Sequence, residues 1–558
     1  MTSGAHLSGV QLAGPGEILT TADAVVGTLV ANGIDRVYGL PGLHNDHLFD
    51  AMYKARERLQ VIHTRHEQTA GYMAMGAALS TGKPQVCAVV PGPGLLNCAG
   101  ALLTAEGMCA PVLALVGQIP DRDIDRNYGH LHEVRDQLGM ARHFTKFAER
   151  IKAPFRAPAL ITAAFEEMLS DRPGPALIEC AMDVWPRSGL VSRVDAPARR
   201  RSHPIDEDAV RLAATILAAA KNPMIIVGAG ALDAGSEVEA VAELLNAPVL
   251  SYRRGRGVIN TEHRLAINLP IGHRLWPKTD VVLAVGTRLF IQEQQWGVDE
   301  GLKVVRLDAD QQAGERFAKP AVNLVGDAAP YLRALVANLP GRDRSRDVLF
   351  DELGRQRHWF ADQLERLEPQ ASFVHALRNA LPENGIFVDE VTQVGFACRL
   401  AFPVYKPRTF LSPGYQDSLG WGYGTALGAK AANPNIPVLS IAGDGGFLYQ
   451  LGELATAVHH KLAVVVVVFD NSMYGNVKLI QEQRFGKRII AADLSNPDFV
   501  KLAEAFGIAA FRAETAAELE QTVKSAFDLN VPALVHVPCG PMPSPWPMLL
   551  MPRVRGTN

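Results

Sequence analysis

The sequence predicts an α/β fold with three domains, each built on a parallel sheet that helices cover on both faces. The chain has 558 residues, and this length favours several domains over one. Three segments repeat the same order of a short apolar strand, a turn that contains glycine and an amphipathic helix. Strands that alternate with helices in this way predict parallel sheets, because each connection between parallel strands crosses a face of the sheet.

The order of these segments predicts three domains between two tails. The tails are a flexible, polar N-terminal segment and a Pro-rich, apolar C-terminal segment without helical character. The predicted segments are an N-terminal tail at 1–16, a first domain at 17–190, a central Rossmann-like domain at 204–340, a third domain at 360–540 and a C-terminal tail at 541–558. The first and third domains end on similar Pro-Ala-Leu strands, at Pro175 and Pro532, which indicates that these two domains are related.

Composition and charge exclude several classes of protein. Lys and Arg number 55 and Asp and Glu number 58, so the net charge is −3 and no basic surface is expected to attract nucleic acid. The longest apolar runs are far shorter than the roughly 20 residues that cross a bilayer, so no membrane contact is expected. The six cysteines form no Cys-x-x-Cys pair and the N-terminus resembles no secretion signal, which predicts a cytoplasmic protein with reduced thiols.

The most informative pattern in the sequence is a pair of apolar strands in the third domain. They are Val438–Ala442 and Leu462–Phe469, with a helix predicted between them from about Leu448 to His460. The first strand leads into Gly-Asp-Gly-Gly at 443–446 and the second into Asp-Asn at 470–471. Both strands of a right-handed βαβ unit end at the same edge of the sheet, so these polar residues are expected to lie close together. This edge is where open α/β sheets bind ligands.

Asp444 and Asn471 offer the ligands of a divalent cation. A carboxylate oxygen, an amide oxygen and a nearby main-chain carbonyl, together with diphosphate and water oxygens, suit octahedral Mg²⁺. The glycines beside Asp444 let the main chain approach a diphosphate closely. The simpler interpretation is that Gly-Asp-Gly forms only a strand-to-helix turn, but the Asn at the matching place after the next buried strand favours the cation site.

This arrangement resembles the thiamine diphosphate motif, in which Gly-Asp-Gly is followed, after about one helix and one strand, by a pair of Asn residues. Asp470 stands where the first Asn is usual, and Asn471 retains the second, which is the metal ligand in the family. The resemblance implies Mg²⁺ held by Asp444, Asn471 and the main-chain carbonyl of Met473. It also implies thiamine diphosphate bound by these residues and by Gly443, Gly445, Gly446, Tyr474 and Gly475.

A glutamate in the first domain is the second feature that the family predicts. Glu67 follows a short strand and is expected early in a helix. In the family, the glutamate at this place hydrogen-bonds the pyrimidine ring of the cofactor and promotes loss of the proton from its C2 atom. The alternative interpretation of Glu67 is an acidic residue that only complements the positive end of a helix.

The third match covers residues 414–429, which resemble the segment that holds the aminopyrimidine ring in the family. The resemblance implies that Gly420, Trp421 and Tyr423 bind the cofactor and that Trp421 is the bulky wedge that bends it. Met, Leu or Ile is usual at the wedge position, and an offset of two residues would make Leu419 the wedge. A Gly-rich helix that packs tightly against its neighbours is compatible with either assignment.

Within this family, which includes the pyruvate oxidases and decarboxylases, the chain most resembles the acetolactate synthases and benzaldehyde lyase. The segment around Gly42-Leu-His-Asn-Asp is similar to the opening of benzaldehyde lyase and aligns His44 with the active-site histidine of that enzyme. His132 aligns with the Gln opposite that histidine, with His130 close by, so two histidines are expected in the pocket as proton carriers. The alternative for His44 is a structural role in its loop.

Two departures distinguish the chain from a true acetolactate synthase. Gln292 stands where that enzyme has the Arg that binds the carboxylate of the second keto acid. Ile480 stands where it has a Trp that determines specificity. Loss of a fixed cation removes a charge-assisted partner for the second keto acid, so a neutral or differently charged acceptor is expected.

A nucleotide site in the central domain is the least supported possibility. Gly228-Ala-Gly230 follows a strand and is similar to the turn that holds FAD in some relatives, but a lone Gly-x-Gly is weak evidence. Arg253, Arg254 and Arg256 could hold a nucleotide such as CoA or ADP, and a solvated surface loop is the favoured interpretation of these arginines.

The resemblance also carries implications for assembly and substrate access. Family members bind the cofactor between the first domain of one subunit and the third domain of another, which implies a homodimer or a homotetramer. The tail at 541–558 is expected to cover the mouth of the active site.

Together these features predict a thiamine diphosphate- and Mg²⁺-dependent lyase or carboligase acting on 2-keto acids or 2-hydroxy ketones, with a small carbonyl compound as substrate. The alternatives are a true acetolactate synthase, a 2-keto acid decarboxylase and a 2-hydroxyacyl-CoA lyase. A flavin or NAD oxidoreductase and a partner subunit without catalytic activity are more distant alternatives.

Overall fold

The structure is a computed structural model that describes residues 16–192, 197–316, 319–340 and 347–556. The N-terminal tail predicted at 1–16 therefore lies outside the described residues, except for Gly16. Packing divides the chain into two compact units, and each is described by itself. The first holds the residues up to Arg201 together with Gly414–Pro434 and Gln450–Leu462, and the second holds Ser202–Pro413, Asn435–Tyr449 and the residues from Ala463 onward.

The first domain is built on a six-stranded parallel sheet. Its strands are β1 (Glu17–Thr20), β2 (Arg36–Gly39), β3 (Gln60–His63), β4 (Gln85–Val89), β5 (Val112–Gln118), β6 (Phe147–Ile151), β7 (Ala176–Ala181) and β8 (Ser188–Val191). The order in the sheet is β3-β2-β4-β5-β7-β6, while β1 and β8 pair with each other as an antiparallel ribbon. Its helices are α1 (Thr21–Ala31), α2 (Asp46–Lys54), α3 (Glu67–Thr81), α4 (Pro93–Gly107), α5 (Gln137–Ala141) and α6 (Ala157–Leu169).

The central domain has a second six-stranded parallel sheet. Its strands are β9 (Pro223–Val227), β10 (Val249–Ser251), β11 (Ala266–Ile267), β12 (Val281–Val285), β13 (Lys303–Asp308) and β14 (Val322–Val325). Their order, β11-β10-β9-β12-β13-β14, is that of the Rossmann fold, as the sequence predicted. The helices are α7 (Glu207–Ala219), α8 (Gly235–Leu245), α9 (Leu269–Leu275) and α10 (Ala328–Asn338), and α11 (Asp347–Leu364) follows them.

The third domain has the third six-stranded parallel sheet. Its strands are β15 (Ile386–Val388), β16 (Phe410–Leu411), β17 (Val438–Gly443), β18 (Val464–Asp470), β19 (Ala509–Arg512) and β20 (Ala533–Pro538), in the order β16-β15-β17-β18-β20-β19. The helices of this part of the chain are α12 (Gln370–Ala380), α13 (Gln393–Ala401), α14 (Gly422–Ala432), α15 (Asp444–Phe447), α16 (Leu454–His459), α17 (Gly475–Arg484), α18 (Phe499–Ala505), α19 (Ala516–Leu529) and α20 (Trp546–Leu549).

The first and third sheets have the same topology. When the six strands of each sheet are numbered along the chain, from β2 in the first and β15 in the third, both sheets have the order 2-1-3-4-6-5. The shared strand order supports the relationship that the Pro-Ala-Leu repeat indicated. In the third sheet the direction of winding reverses between β15 and β17, and ligands of open α/β sheets bind outside the carboxyl ends of strands at such a point.

The central strands are apolar along their whole length because parallel sheets are buried on both faces. All seven residues of β5 are buried, as are the six valine and phenylalanine residues at 464–469 in β18. The six cysteines are all free, as predicted from their spacing. Among the described residues, no helix combines the length and the apolarity that crossing a bilayer requires.

The bounds of β18 and two helical segments differ from the sequence-based prediction. Strand β18 begins at Val464 instead of Leu462 and ends one residue later than predicted. The helix after β17 begins at Asp444 instead of Leu448, and a 3-10 segment at Leu448–Glu453 separates α15 from α16. The reason is local: Gly443 caps the helix directly at the strand end, and an acidic first residue is favourable at a helix N-terminus. The C-terminal tail was predicted to lack helix, yet α20 forms one turn beginning just after Pro545.

Helices α3 and α14 pack closely enough that their main chains meet. A Cβ atom built on Gly428 would lie 1.9 Å from the carbonyl oxygen of Met73, and one on Gly76 would lie 2.0 Å from that of Thr425. A side chain at either glycine would collide with the main chain of the opposite helix. This helix crossing therefore explains the glycine-rich composition of α14. The helix crossing holds the segment at 414–429 against the helix that begins at Glu67.

Gly428→Ala is therefore expected to lower the midpoint of thermal unfolding, because overpacking typically costs about 1–3 kcal/mol. Gly27→Ala is the control, since Gly27 lies in α1 and a Cβ atom added there would meet no atom within 4 Å. That change is expected to leave the midpoint unchanged or to raise it, because Ala favours helix by roughly 0.5–1 kcal/mol. Equal midpoints for the two variants would contradict the close crossing.

Candidate active site

Asp444 and Asn471 leave neighbouring strands at the same edge of the third sheet. Strands β17 and β18 are parallel, and their register pairs Gly443 with Phe469. Asp444 is the next residue after the first of these, and Asp470-Asn471 follow the second. Asp444 is buried, with 2% of its surface exposed, at the N-terminus of α15.

Asn496 connects the two strand ends. Its Nδ2 donates to Asp444 Oδ2 at 2.7 Å and to Asp470 Oδ1 at 2.8 Å. Its Oδ1 is buried and accepts no hydrogen bond among the described residues. The motifs that identify Asp444 and Asn471 in the sequence do not include Asn496. Its contact with Asp444 spans 52 positions of the chain, which no local pattern predicts.

Asp470 occupies the place of the usual first Asn, and the surrounding groups account for its carboxylate. His536 Nε2–H donates to its Oδ2 at 3.1 Å, and the main-chain N–H of Ser472 donates to its Oδ1 at 3.0 Å. With the amide of Asn496 and the hydroxyl of Ser472, which donates to Oδ1 at 3.3 Å, four donors surround the Asp470 carboxylate. A largely buried carboxylate requires such partners.

The electrostatics of this edge favour a cation. Burial raises the pKa of Asp444, the negative charge of Asp470 raises it further, and the hydrogen bond from Asn496 lowers it. A divalent cation beside Asp444 would relieve both unfavourable effects. The donors here are carboxylate and amide oxygens, which fit Mg²⁺ and not a softer metal.

The loop after Asn471 is held in place by a second segment of the chain. Met473 pairs with Asp493 in an antiparallel bridge, and the main-chain N–H of Tyr474 donates to the carbonyl of Ala492 at 2.8 Å. The ring of Tyr474 lies against Gly445, where a Cβ atom would come within 2.6 Å of its Cε1 atom. Gly475 then begins α17. The loop is thus fixed between β18 and α17 by contacts within the third domain.

Glu67 is the first residue of α3, as the sequence predicted. Asn97 Nδ2 donates to its Oε2 at 3.0 Å, and a Cβ atom on Gly94 would lie 3.6 Å from its Oε1. The preceding loop is fixed by Glu453, which is 1% exposed and accepts from the main-chain N–H groups of Arg65 and His66 at 3.0–3.2 Å. Glu453 belongs to none of the motifs identified in the sequence, although an acidic residue within an apolar helical pattern indicates a buried role.

His44 and His132 stack on each other, with ring centroids 5.1 Å apart. His44 is buried, and its Nε2–H donates to the main-chain carbonyl of Leu131 at 3.0 Å. A carbonyl only accepts, so the lone pair of the neutral His44 ring lies on Nδ1. This nitrogen and Nδ1 of His132 are both buried and have no hydrogen-bond partner in the part of the chain that the structure describes. Burial lowers the pKa of His44, and His132 lowers it further. His44 is therefore neutral at pH 7.

The residues at the start of α14 differ in exposure. Trp421 is fully buried at the helix N-terminus and Tyr423 is 2% exposed, while Leu419 keeps a partly exposed side chain. Burial raises the pKa of Tyr423, and nearby Glu453 raises it further. Gly420 lies between them with a φ of 76°, a conformation that glycine adopts readily.

The glycine turn of the central domain is closed by its own contacts. The N–H of Gly230 donates to the carbonyl of Gly286 at 3.1 Å. A Cβ on Gly228 would lie 2.3 Å from the same carbonyl oxygen. The glycines are thus explained by close main-chain packing, and the N–H group that a nucleotide phosphate would need is already bonded. This packing removes the observation that motivated an FAD or NAD site.

The arginines of the central domain are not a solvated loop, in contrast to the favoured prediction. Arg256 is 6% exposed and donates to the main-chain carbonyls of Cys398, Arg399 and Phe402, at the end of α13. The carbonyl of Cys398 also accepts from the main-chain N–H of Phe402, and the guanidinium supplies further donors at this carboxyl end, so it caps the helix. Burial lowers the pKa of Arg256 to about 10. Arg253 and Arg254 are partly buried as well.

The two positions that distinguish the chain from acetolactate synthase lie in different environments. Gln292 is 5% exposed within a π-helical turn at Ile291–Trp296, and Ile480 is 36% exposed on α17. The C-terminal tail runs between these regions: Trp546 Nε1 donates to Asn476 Oδ1 at 2.6 Å, and the N–H groups of Val554 and Arg555 donate to the carbonyl of Trp296.

Family models match all three domains of the chain. The N-terminal binding domain of thiamine pyrophosphate enzymes matches residues 19–140, the central domain matches 210–335, and the C-terminal binding domain matches 390–537. These matches confirm the class of protein that the sheets and the carboxyl-edge residues define: a three-domain α/β enzyme that uses thiamine diphosphate.

Individual relatives narrow the class. The chain is 32% identical to a probable 2-ketoarginine decarboxylase of Pseudomonas aeruginosa, with 94% of each chain covered. It is 31% identical to a probable acetolactate synthase large subunit of Methanocaldococcus jannaschii, over 93% of this chain and 92% of that one. The acetolactate synthase of Bacillus subtilis is 28% identical over the same shares. The chain belongs to the thiamine diphosphate-dependent enzymes of the acetolactate synthase group, which form or cleave carbon–carbon bonds.

Asn496→Ala is expected to weaken the binding of Mg²⁺ with thiamine diphosphate by about 10- to 100-fold, the usual loss when a group that orients a metal ligand is removed. Titration calorimetry with cofactor and Mg²⁺ measures the change. Asn379→Ala is the matched control, since Asn379 also donates to a carboxylate, Glu520, but on the surface of the domain. Unchanged affinity in Asn496→Ala would show that the bridge between Asp444 and Asp470 does not organise the site.

Proposed function

We propose that the chain is a Mg²⁺- and thiamine diphosphate-dependent lyase or carboligase acting on 2-keto acids or 2-hydroxy ketones. The observation that carries this proposal is the pair of carboxylates, Asp444 and Asp470, bridged by Asn496 at the carboxyl ends of adjacent parallel strands. Such a pair holds negative charge in a buried place and favours a divalent cation. Asp444, Asn471 and the carbonyl of Met473 would hold Mg²⁺, and Gly443, Gly445, Gly446, Tyr474 and Gly475 would line the diphosphate.

The bound cofactor supplies a sink for the electron pair that is left when a bond beside a carbonyl breaks. The protein supplies the proton transfers. We assign Glu67 the exchange of a proton with the pyrimidine ring, because it stands at the start of a helix with Asn97 orienting its carboxylate. Glu453 fixes the loop that precedes Glu67. The Glu67 carboxylate is therefore already positioned and loses little conformational entropy during the reaction.

His44 and His132 are assigned the proton transfers to and from the substrate oxygen. The reason is that Nδ1 of each ring is buried and without a partner among the described residues. An unpaired buried nitrogen costs free energy, which a substrate hydroxyl or carbonyl would recover on binding. His44 is neutral at pH 7, so its Nδ1 accepts a proton there, and its Nε2–H bond to Leu131 fixes the tautomer.

The wedge that bends the cofactor is assigned to Leu419 in preference to Trp421. A side chain that supports a ligand in an open cleft keeps an accessible surface before the ligand binds, as Leu419 does. Trp421 has none, and we assign it to the packing at the start of α14, where Gly420 and Tyr423 also lie.

The substrate class rests on Gln292 and on the relatives. Their names include decarboxylation of a 2-keto acid and synthesis of acetolactate, so a 2-keto acid is the expected donor. A buried neutral Gln at position 292 provides no fixed positive charge for a second keto acid, which disfavours a true acetolactate synthase. Simple decarboxylation, ligation to a neutral aldehyde, and cleavage of a 2-hydroxy ketone or a 2-hydroxyacyl-CoA remain distinguishable by their products, CO₂ and aldehyde.

Assembly follows the family in this proposal. A homodimer or homotetramer would combine the Glu67 side of one subunit with the Asp444 side of another. The tail at 541–558 would cover the active-site mouth, because Trp546 bonds to Asn476, one residue beyond the cofactor loop.

Glu67→Gln is expected to slow exchange of the cofactor C2 proton with deuterium by about 10²- to 10⁴-fold, the range typical of a lost general acid–base group. Quench-flow NMR measures this exchange without knowledge of the substrate. Asp444→Asn is expected to lose cofactor binding instead, and Glu57→Gln, an exposed change in the same domain, is expected to alter neither. Normal exchange in Glu67→Gln, or tight Mg²⁺-dependent binding in Asp444→Asn, would contradict the proposed function.

His44→Asn is expected to lower kcat/KM on the best 2-keto acid by about 10²- to 10⁴-fold while C2 exchange stays normal. His47→Asn, at an exposed position three residues away, is the control. Because the pKa of His44 is lowered, the neutral accepting form persists below the ordinary histidine value, and wild-type kcat/KM should fall only at more acidic pH. A normal kcat/KM in His44→Asn would indicate that the His44 ring has only a structural role.

Shortening the chain after Pro541 is expected to raise KM severalfold and to leave C2 exchange unchanged, if the tail covers bound substrate. Steady-state kinetics of the shortened chain test this. Unchanged KM would restrict the tail to packing against Trp296 and Asn476.

A further inference from the structure

Three histidines meet in the first compact unit, and no role assigned above uses them. His63 is the last residue of β3, His459 is the last residue of α16, and His460 follows it. Their ring centroids lie 4.6–4.8 Å apart, and one ring nitrogen from each lies within 4.8 Å of the other two. The three residues come from segments almost 400 positions apart in the chain.

The hydrogen bonds of this cluster suit metal binding. His460 Nε2 lies 3.2 Å from the main-chain carbonyl of His63, and because a carbonyl only accepts, Nε2 carries the proton. The lone pair of the neutral His460 ring is therefore on Nδ1. Metal-bound histidines usually donate their other N–H to a carbonyl or carboxylate in this way. The rings of His63 and His459 make no hydrogen bond to another described residue.

We propose that His63, His459 and His460 form a site for a borderline divalent transition ion, with Zn²⁺ as its representative. Three imidazoles and a water molecule complete the tetrahedral set that Zn²⁺ prefers. Imidazole nitrogens suit Zn²⁺, Cu²⁺, Ni²⁺ and Co²⁺, whereas Mg²⁺ requires oxygen ligands, so this site and the Asp444 site select different metals.

The approach of the ligands needs only side-chain adjustment. Zn–N bonds of about 2.0–2.1 Å place tetrahedral ligand nitrogens roughly 3.4 Å apart, against up to 4.8 Å here. His459 is exposed, so its ring can rotate toward the other two without displacing packed groups. Burial and the neighbouring rings lower the pKa of His460 to about 4, and burial and His459 lower that of His63, so these rings are neutral ligands at pH 7.

The position of the three histidines gives a bound ion a structural role. The loop Thr64–His66 joins His63 to Glu67, and Glu453 at the start of α16 already bonds two N–H groups of that loop. A metal bound by His63 and by the two histidines at the other end of α16 would form a second link between this loop and the α16 segment. The ion would stabilise the approach to Glu67 and take no part in the reaction.

The test uses the full chain saturated with Mg²⁺ and thiamine diphosphate, stripped of transition metals with a chelator and titrated with Co²⁺. The proposal expects one Co²⁺ per chain with the intense visible absorption of a tetrahedral nitrogen site, removed on adding Zn²⁺. His459→Asn should weaken Co²⁺ binding by at least about tenfold, the lower limit for loss of a metal-orienting group. His358→Asn, which changes an exposed histidine on α11, should not.

The outcomes separate this site from the proposed function. Absence of Co²⁺ absorption in the wild type at concentrations well above micromolar would overturn the proposal. Equal binding by wild type, His459→Asn and His63→Gln would overturn it as well, because the ion would then be held elsewhere. Loss of binding in both variants, with thermal unfolding in the absence of metal unchanged, supports it. Cofactor C2 exchange is measured in parallel, so failure of the Glu67 assignment is seen independently.

Discussion

The candidate cofactor site at the carboxyl edge of the third sheet depends on one side-chain amide, that of Asn496. Asn496 Nδ2 donates to both Asp444 and Asp470, whose carboxylates would otherwise repel each other at the ends of adjacent strands. The parallel register of β17 and β18 brings the two acids together, and His536 supports Asp470 from a third strand, β20. With both acids fixed, the loop after Asn471 is set by its pairing with the segment at 492–494. The negative charge that remains attracts a divalent cation, and that cation could in turn bind a diphosphate.

Much of the fold could be predicted because the strands of parallel sheets have a recognisable sequence pattern. Fully buried strands are unbroken apolar runs in the sequence, and the two strands predicted at 438–442 and 462–469 correspond to β17 and β18 within two residues at each end. The repeat of Pro-Ala-Leu before β7 and β20 corresponds to two sheets of identical topology. Asp444, Asn471 and Glu67 could be proposed from the sequence because a strand end and a helix start are local features, and their spacing resembles a known motif. Three family models cover the same domains.

The features that the sequence did not predict depend on contacts between distant segments, and such contacts cannot be recognised in a single sequence. Asn496 and Glu453 each bond to groups far along the chain. Arg256 looked like part of a basic surface loop, yet it caps α13 from more than 140 positions away. The Gly-x-Gly of the central domain had the local form of a nucleotide turn, but main-chain packing against Gly286 explains it. The proposal of Leu419 over Trp421 as the wedge rests on the burial of Trp421, which the sequence does not show.

The most direct test of this account is the position of the metal. A crystal grown with thiamine diphosphate and Mn²⁺ in place of Mg²⁺ would locate the ion by its anomalous scattering. We expect one strong peak about 2.1 Å from a carboxylate oxygen of Asp444 and from the side-chain oxygen of Asn471, with Asn496 still bonded to Asp444 and Asp470. A peak bound by Asp470 in place of Asn471, or no peak at this edge of the sheet in a crystal that contains the cofactor, would contradict it.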